Sequence, residues 1–190
     1  MKRPGRLAMA APMMATVMAA SGCGGIMESP YNHSDAEIDR AAELMCDLPA
    51  LEETEATMVA VIEEIKDVAS GISPALQWEE ARPRRAEGCG GAFASTDGSS
   101  VRMPLWGSQA PIPDADWPAI LDAVRGIAAR AGLADVTVRV DRPGDHDVVL
   151  AGGNGNRIQI GSKVAASITG ETGCRYKAER MPGANGDRIR

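Results

Sequence analysis

The sequence predicts an α+β two-layer sandwich, an antiparallel β-sheet packed against two or three helices, preceded by a signal peptide and a short tether. Three observations predict it. Two stretches in the N-terminal half repeat apolar residues at three- and four-residue spacing, a third does so mid-chain, and short alternating runs punctuated by Gly, Pro, Asn and Asp fill the rest. Helices grouped before strands, with one helix between two strand groups, is the pattern of a sheet covered on one face.

Ser34 opens the first helix: its side chain can cap, and Glu37 follows three residues later as a capping-box partner. Ile38, Ala41, Ala42 and Met45 mark its apolar face, and Pro49 ends it or bends the chain. The second helix runs from about Leu51 to Ser70. Met58, Val61, Ile62, Ile65 and Val68 form one side, Glu52, Glu53, Glu63, Glu64 and Asp67 the other, and Gly71 is a natural stop.

From Leu76 the period changes. Leu76-Gln77-Trp78, Gly88 to Phe93 and Val101 to Trp106 read as short strands, with Ala94 to Ser100 a turn whose Asp97-Gly98 suits a hairpin. Arg82 to Arg85, the densest basic cluster, reads as a solvated loop able to meet an acidic ligand or headgroup. Asp114 or Asp116 caps a third helix with Pro118 in its first turn. Its stripe is Trp117, Ile120, Leu121, Val124, Ile127, Ala128 and Ala131, ending at Gly132. Val136, Val138 and Val140 then alternate with Thr137 and Arg139, followed by strands at Asp147 to Ala151, around Ile158 and Ile160, and at Ala165 to Thr169. Pro143-Gly144 and Gly152 to Asn156 supply turns, so these strands form an antiparallel meander.

Ahead of all this, Lys2, Arg3 and Arg6 precede an uncharged apolar stretch, Leu7 to Ala20, shorter than the about 20 apolar residues that span a bilayer. Ala20-Ser21-Gly22-Cys23 then reads as a lipobox. On this reading residues 1–22 are a cleaved signal peptide, Cys23 carries a diacylglycerol thioether and residues 23–33 form a lipidated tether. The competing reading is an ordinary secretory signal cut near Ala19-Ala20-Ser21. Two or three acyl chains would anchor the protein firmly, since each buried methylene contributes about 0.8 kcal/mol. Residues 34–176 are expected to form a single domain, and residues 177–190, without periodicity, a disordered tail.

Cleavage before Cys23 removes three positive charges and moves the formal net charge from -6 to -9. That acidity argues against nucleic acid or an anionic membrane surface as a partner, because bulk repulsion opposes both. One Phe, two Tyr and three Trp leave few stacking platforms, and Trp78, Trp106 and Trp117 are read as core or edge-of-core residues.

After Cys23, three cysteines remain: Cys46, Cys89 and Cys174. Three pairings are possible and spacing alone does not choose among them. Glycine neighbours at the ends of probable strands favour Cys89 with Cys174, which leaves Cys46 as a buried small hydrophobe in its helix. There is no C-x-x-C and no paired histidine, so neither metal nor cofactor is expected. Gly152-Gly153-Asn154-Gly155-Asn156 invites a phosphate-loop reading, but the alternation after it and the absence of Gly-Lys-Ser/Thr argue for a hairpin turn. Asp141, Asp145, His146 and Asp147 could gather round calcium, though not with EF-hand spacing. No Gly-x-Ser-x-Gly elbow appears, and His33 and His146 are poorly placed general bases.

Several landmarks together resemble the LppA-like lipoproteins of mycobacteria and related actinobacteria. They are the lipobox at Cys23, two N-terminal helices, Trp78 just after the second, Arg84 or Arg85 followed by Gly88-Cys89, and an Ala-rich helix ending near Gly132. Asp145-His146-Asp147-Val148 and the closing Ile168-Thr169-Gly170 with Gly173-Cys174 complete the set. The resemblance implies an extracytoplasmic lipoprotein of unassigned activity in which the cysteines matching Cys89 and Cys174 are paired; Cys46 matches no family cysteine.

The functional expectation is a non-enzymatic lipoprotein, lipid-anchored in the cell membrane and facing outward, that binds a partner protein or ligand at the envelope. An alternative is a carrier of lipid or another apolar molecule, with a cavity between sheet and helices lined by Met58, Ile62, Val124 and Ile127. A third is a hydrolase of envelope polymers working through two facing carboxylates.

Overall fold

A computed structural model describes residues 32–182. The lipobox, Cys23 and all but the last two residues of the tether lie outside the described residues, as do residues 183–190.

Helix α1, Asp35–Cys46, starts on the reciprocal contacts of Ser34 and Glu37: Ser34 N–H and hydroxyl each donate to Glu37 Oε2 at 2.8 Å. It buries Ala41 and Met45. Helix α2, Leu51–Ile72, buries Met58, Val61, Ile62, Ile65 and Ala69, and runs through Gly71 rather than stopping at it. Helix α3, Trp117–Arg130, buries Trp117, Ile120, Leu121, Val124, Ile127 and Ala128. Gly132 follows at φ 77°, the left-handed conformation that ends a helix and that only glycine adopts without strain.

Eight strands, all paired antiparallel, make one sheet: β1 Glu79–Arg82, β2 Arg85–Glu87, β3 Ser100–Arg102, β4 Leu105–Ser108, β5 Asp135–Arg142, β6 Asp145–Ala151, β7 Arg157–Ser162 and β8 Ala166–Glu171. The main order is β1-β4-β8-β7-β6-β5, with β2 and β3 joined through the pairing of β3 with β8. Strands β5 to β8 are the expected meander. Their register lines up Val148, Ile160, Ile168 and Trp106 across four strands. This row packs with α2 and α3, and Ile65, Ile120, Leu150, Ile158, Ile160 and Ile168 are wholly buried. Each contributes about 1.5–3 kcal/mol relative to exposure. An α+β sheet with helices on one face is therefore the architecture, as the periodicities predicted.

The strands before α3 fall elsewhere than predicted. Leu76-Gln77-Trp78 is the link between α2 and β1: Leu76 plugs the core and Trp78 Nε1 donates to Lys66 O at 3.2 Å. Gly88 to Phe93 is a disulfide-bearing loop and part of a 3-10 turn, Gly91–Ser95. Val101 to Trp106 splits into β3 and β4 because Met103 N donates to Gly170 O at 2.9 Å and Pro104, lacking an N–H, cannot continue the ladder. Arg82 to Arg85 is exposed, as expected, but only Pro83-Arg84 is loop: Arg82 ends β1, Arg85 begins β2, and Arg84 between them donates to both Glu55 oxygens on α2 at 2.6 and 2.7 Å.

Two further expectations are corrected. Neither Asp114 nor Asp116 caps α3 with its side chain; Asp116 occupies the cap position through its backbone. Cys46 is half-buried, its thiol donating to Ala42 O at 3.3 Å, so it is not an inert core residue. The stretch after residue 176 carries a 3-10 turn, Ala178–Arg180, tied back by Ala178 N to Glu52 Oε2 at 2.9 Å and Arg180 to Asp97 at 3.2 Å.

Candidate functional site

Alternation along each strand puts every second side chain on the sheet face away from α2 and α3. On β7 and β8, where Ile158, Ile160 and Ile168 point to the core, Arg157, Gln159, Thr169 and Glu171 point outward. Register then determines who meets whom. Arg157 stands opposite Glu171, Glu171 opposite Arg102, and Arg102 opposite Arg85, so one row across four strands reads Arg-Glu-Arg-Arg.

Two arginines directly opposite repel, and Glu87, two residues from Arg85 on β2, relieves that clash. It accepts from Arg102 Nε at 2.8 Å and from Arg85 Nη2 at 2.6 Å. Glu171 likewise takes Arg102 at 3.1 Å and Arg157 at 2.6 Å. Arg139, at a bulge in β5, reaches Asp147 at 3.9 Å, and Gln159 donates to the same carboxylate at 2.8 Å. Arg82 makes no ion pair among the described residues. Five guanidinium groups thus gather on one face with three carboxylates among them.

The row is also the wall of a cleft. A cavity of about 540 Å³ is framed by Arg82, Arg85 and Arg102 and floored by Met103, Leu105, Ser167 and Thr169. A second, of about 220 Å³, adjoins it through Arg102, Gln159 and Thr169 and reaches Arg139 and Arg157. Exposed ion pairs add little stability, because side-chain entropy and screening offset the attraction. Here they fix Arg85, Arg102 and Arg157 against Glu87 and Glu171 along the wall of the cleft. The Arg102 guanidinium beside Glu87, helped by Arg85, keeps the Glu87 carboxyl below the usual carboxylate range.

Residues considered from sequence are dispersed. Cys89 and Cys174 form a disulfide, Cα–Cα 5.7 Å. Met58, Ile62, Val124 and Ile127 are packed core and line neither cleft cavity. The possible calcium ligands do not form one cluster: His146, buried on the helix side, meets Asp141 at 2.8 Å, whereas Asp145 binds Arg142 and Lys163, and Asp147 binds Gln159. Among the described residues no three His, Cys, Asp or Glu side chains cluster as metal ligands.

Sequence reasoning missed what His146 does. Its ring stacks on Trp117 at 4.4 Å and 12°, while Nδ1 meets Asp141 at 2.8 Å and Nε2 meets Asp114 at 3.0 Å. Ionised carboxylates only accept, so both bonds coexist when both ring nitrogens carry hydrogen. Asp114 also accepts from Gly144 N at 2.8 Å; that bond first, and His146 second, hold its carboxyl below the usual range. A depressed folded-state value contributes stability above the unfolded pKa of about 3.9, lost as pH falls through the folded value. Asp114→Asn is therefore expected to flatten the acid side of the urea-midpoint profile below about pH 4; an unchanged acid limb would refute the linkage.

A helix-backed antiparallel sheet with its other face open and arginine-lined defines the class: an α+β domain of the open-faced sandwich kind. Among known families, one described as LppA, a lipoprotein confined to pathogenic Mycobacterium, matches residues 27–178. The chain belongs to the LppA lipoprotein family. Its fold is similar to that of the lipoprotein LppA from Mycobacterium tuberculosis, with 14% identity, a TM-score of 0.60, and 78% of this chain and 94% of that one covered. It is also similar to a DUF4853 family protein from Actinomyces odontolyticus ATCC 17982, at 10% identity and TM-score 0.50, over 75% of this chain and 77% of that one. No curated protein matches. No described helix is long and apolar enough to cross a membrane.

Proposed function

We propose that this lipoprotein is a non-enzymatic binding module, anchored through acyl chains on Cys23 and facing outward from the cell membrane, whose arginine-lined sheet face takes a carboxylate-rich ligand or partner of the envelope. One observation carries the reading. In a chain of net charge -6, five arginines converge on one open face around adjoining cavities, three of them, Arg85, Arg102 and Arg157, in one cross-strand row. Met103 and Leu105 on the floor give an apolar patch for the ligand's carbon skeleton, the usual division of labour in a binding site.

The test uses full-length protein extracted from its host membrane. Intact mass should show an N-terminus at Cys23 carrying acyl chains. Hexaglutamate, titrated at low salt, is expected to bind and to weaken as salt rises. Arg102→Ala removes the guanidinium shared by both cavities and should weaken binding about tenfold, or about 1.4 kcal/mol. Equal binding by wild type and Arg102→Ala would remove the sheet face from the reading, and an unacylated chain cut elsewhere would remove the anchor.

A further inference from the structure

A third cavity, sharing no lining residue with the two along the arginine row, sits where the β6–β7 turn, α1 and the disulfide meet. It measures about 430 Å³ and is lined by Leu44, Leu48 and Phe93 together with the Gly153–Gly155 turn, Cys174 and Arg175. The volume lies within the range of small-molecule pockets, about 300–1,000 Å³. Leu44, at 55% exposure, is a large apolar side chain left in water at this cavity while the opposite side of α1 is buried.

The unusual member is Arg175. It is 1% exposed, yet no carboxylate among the described residues meets it. Nη1 donates to Cys174 O at 2.7 Å and Nη2 to Asn156 Oδ1 at 3.1 Å, while Nε has no acceptor. A guanidinium has five N–H donors and stays charged, so a buried one with two neutral acceptors is under-satisfied in both hydrogen bonds and charge. Burial alone pushes its pKa down from the usual arginine value. The arginine is held in this position by a tight backbone approach. A Cβ on Gly173 would lie 2.3 Å from Asn154 O, so the strand end carrying Arg175 is pressed against the turn.

We infer that this cavity binds a long-chain fatty acid, its carboxylate on the Arg175 guanidinium and its chain along Leu44, Leu48 and Phe93. Charge complementarity selects the head: a planar carboxylate matches the fork of an arginine lacking a counter-ion. The turn's own amides argue against a phosphate head. Gly155 N donates to Gly152 O, Asn156 N to Asn154 Oδ1 and Gly152 N to Asn156 O, so the loop spends these donors on closing itself. The apolar lining selects the tail. The inference is independent of the arginine-lined face, and it moves apolar-ligand binding from the packed core to the end of the sheet.

The experiment is photolabelling of the full-length protein in phosphatidylcholine nanodiscs with a diazirine-bearing palmitate, adducts being mapped by peptide mass spectrometry. Adducts are expected on the peptides carrying Leu44, Phe93 and Asn154. They should be competed at least tenfold better by unlabelled palmitate than by its methyl ester or by lysophosphatidate. Arg175→Gln should reduce labelling at least fivefold. Because that buried substitution can also weaken folding, the exposed Leu44→Glu is the second variant; it sets a carboxylate at the cavity and should reduce labelling equally with the thermal midpoint unchanged. Equal competition by the methyl ester, stronger competition by lysophosphatidate, adducts scattered outside these peptides, or full labelling of Leu44→Glu would each overturn the proposal.

Discussion

Cys89→Ser with Cys174→Ser is expected to lower the unfolding free energy by about 4.5 kcal/mol by the chain-entropy relation. The bridge closes a loop with a sequence separation of 85, spanning β3 to β8 and the whole of α3. Without it the unfolded chain regains that freedom while the folded chain keeps its packed core. Urea unfolding of the oxidised protein and the double variant at matched pH measures the difference. The denaturant slope should rise in the variant, because an unbridged denatured state exposes more surface. A loss under about 1 kcal/mol would mean the denatured chain is already restrained there by other contacts.

Trp117→Ala is the second large effect, about 3–5 kcal/mol for removing a buried indole and leaving a void. Trp117 is 3% exposed and stands at the first position of α3, just ahead of Pro118, with its ring face on His146. Its loss loosens the helix start and uncovers the histidine that bridges Asp114 and Asp141. For a domain of this size the thermal midpoint should fall by roughly 10 °C. Trp117→Phe keeps an aromatic face on the imidazole and should recover more than half of the loss. A phenylalanine variant as unstable as the alanine one would assign the effect to backbone geometry at Pro118 instead of to the stack.

The fold was legible wherever side chains faced a single core. α2, α3 and strands β6 to β8 follow from period, because Ile65, Val124, Ile160 and their neighbours each have one buried side and one wet side; β5 alternates in sequence but buries none of its residues and is held by its pairing with β6. It was illegible where strands hold by backbone pairing at the sheet margin. β1 is Glu-Glu-Ala-Arg with every residue exposed, so no hydrophobic signal marks it; its place comes from hydrogen bonds to β4. The apolar residues that did attract a strand reading, Leu76 and Trp78, belong to the loop that plugs the core beside it.

The candidate site was visible only in fragments. Arg82 and Arg85 stood out as basic density, and Arg157 as a polar residue alternating with apolar ones, but nothing local joins them to Arg102 or Arg139. That union depends on a register across strands separated by dozens of residues, which no window of sequence contains. The same holds for Arg175: its burial depends on Asn156 and the 153–155 turn closing over it. His146 was read only as a possible calcium ligand or poorly placed general base, because nothing local shows that Trp117, Asp114 and Asp141 make a buried strand position tolerable for it.

Strand β8 is the last in sequence and an interior one in space, with β7 on one edge and both β3 and β4 on the other. Because the chain emerges N-terminus first, the two halves of the sheet long have nothing to join them: β1 to β4 cannot meet β5 to β7 until Ala166–Glu171 arrives. The hairpins β5–β6 and β6–β7 close over short turns and can assemble at once, while the other half waits on contacts of long sequence separation. A chain cut before residue 166 would therefore be left with an open-edged, aggregation-prone sheet, and truncations that reach β8 should cost this protein more than equal deletions at the start of α1.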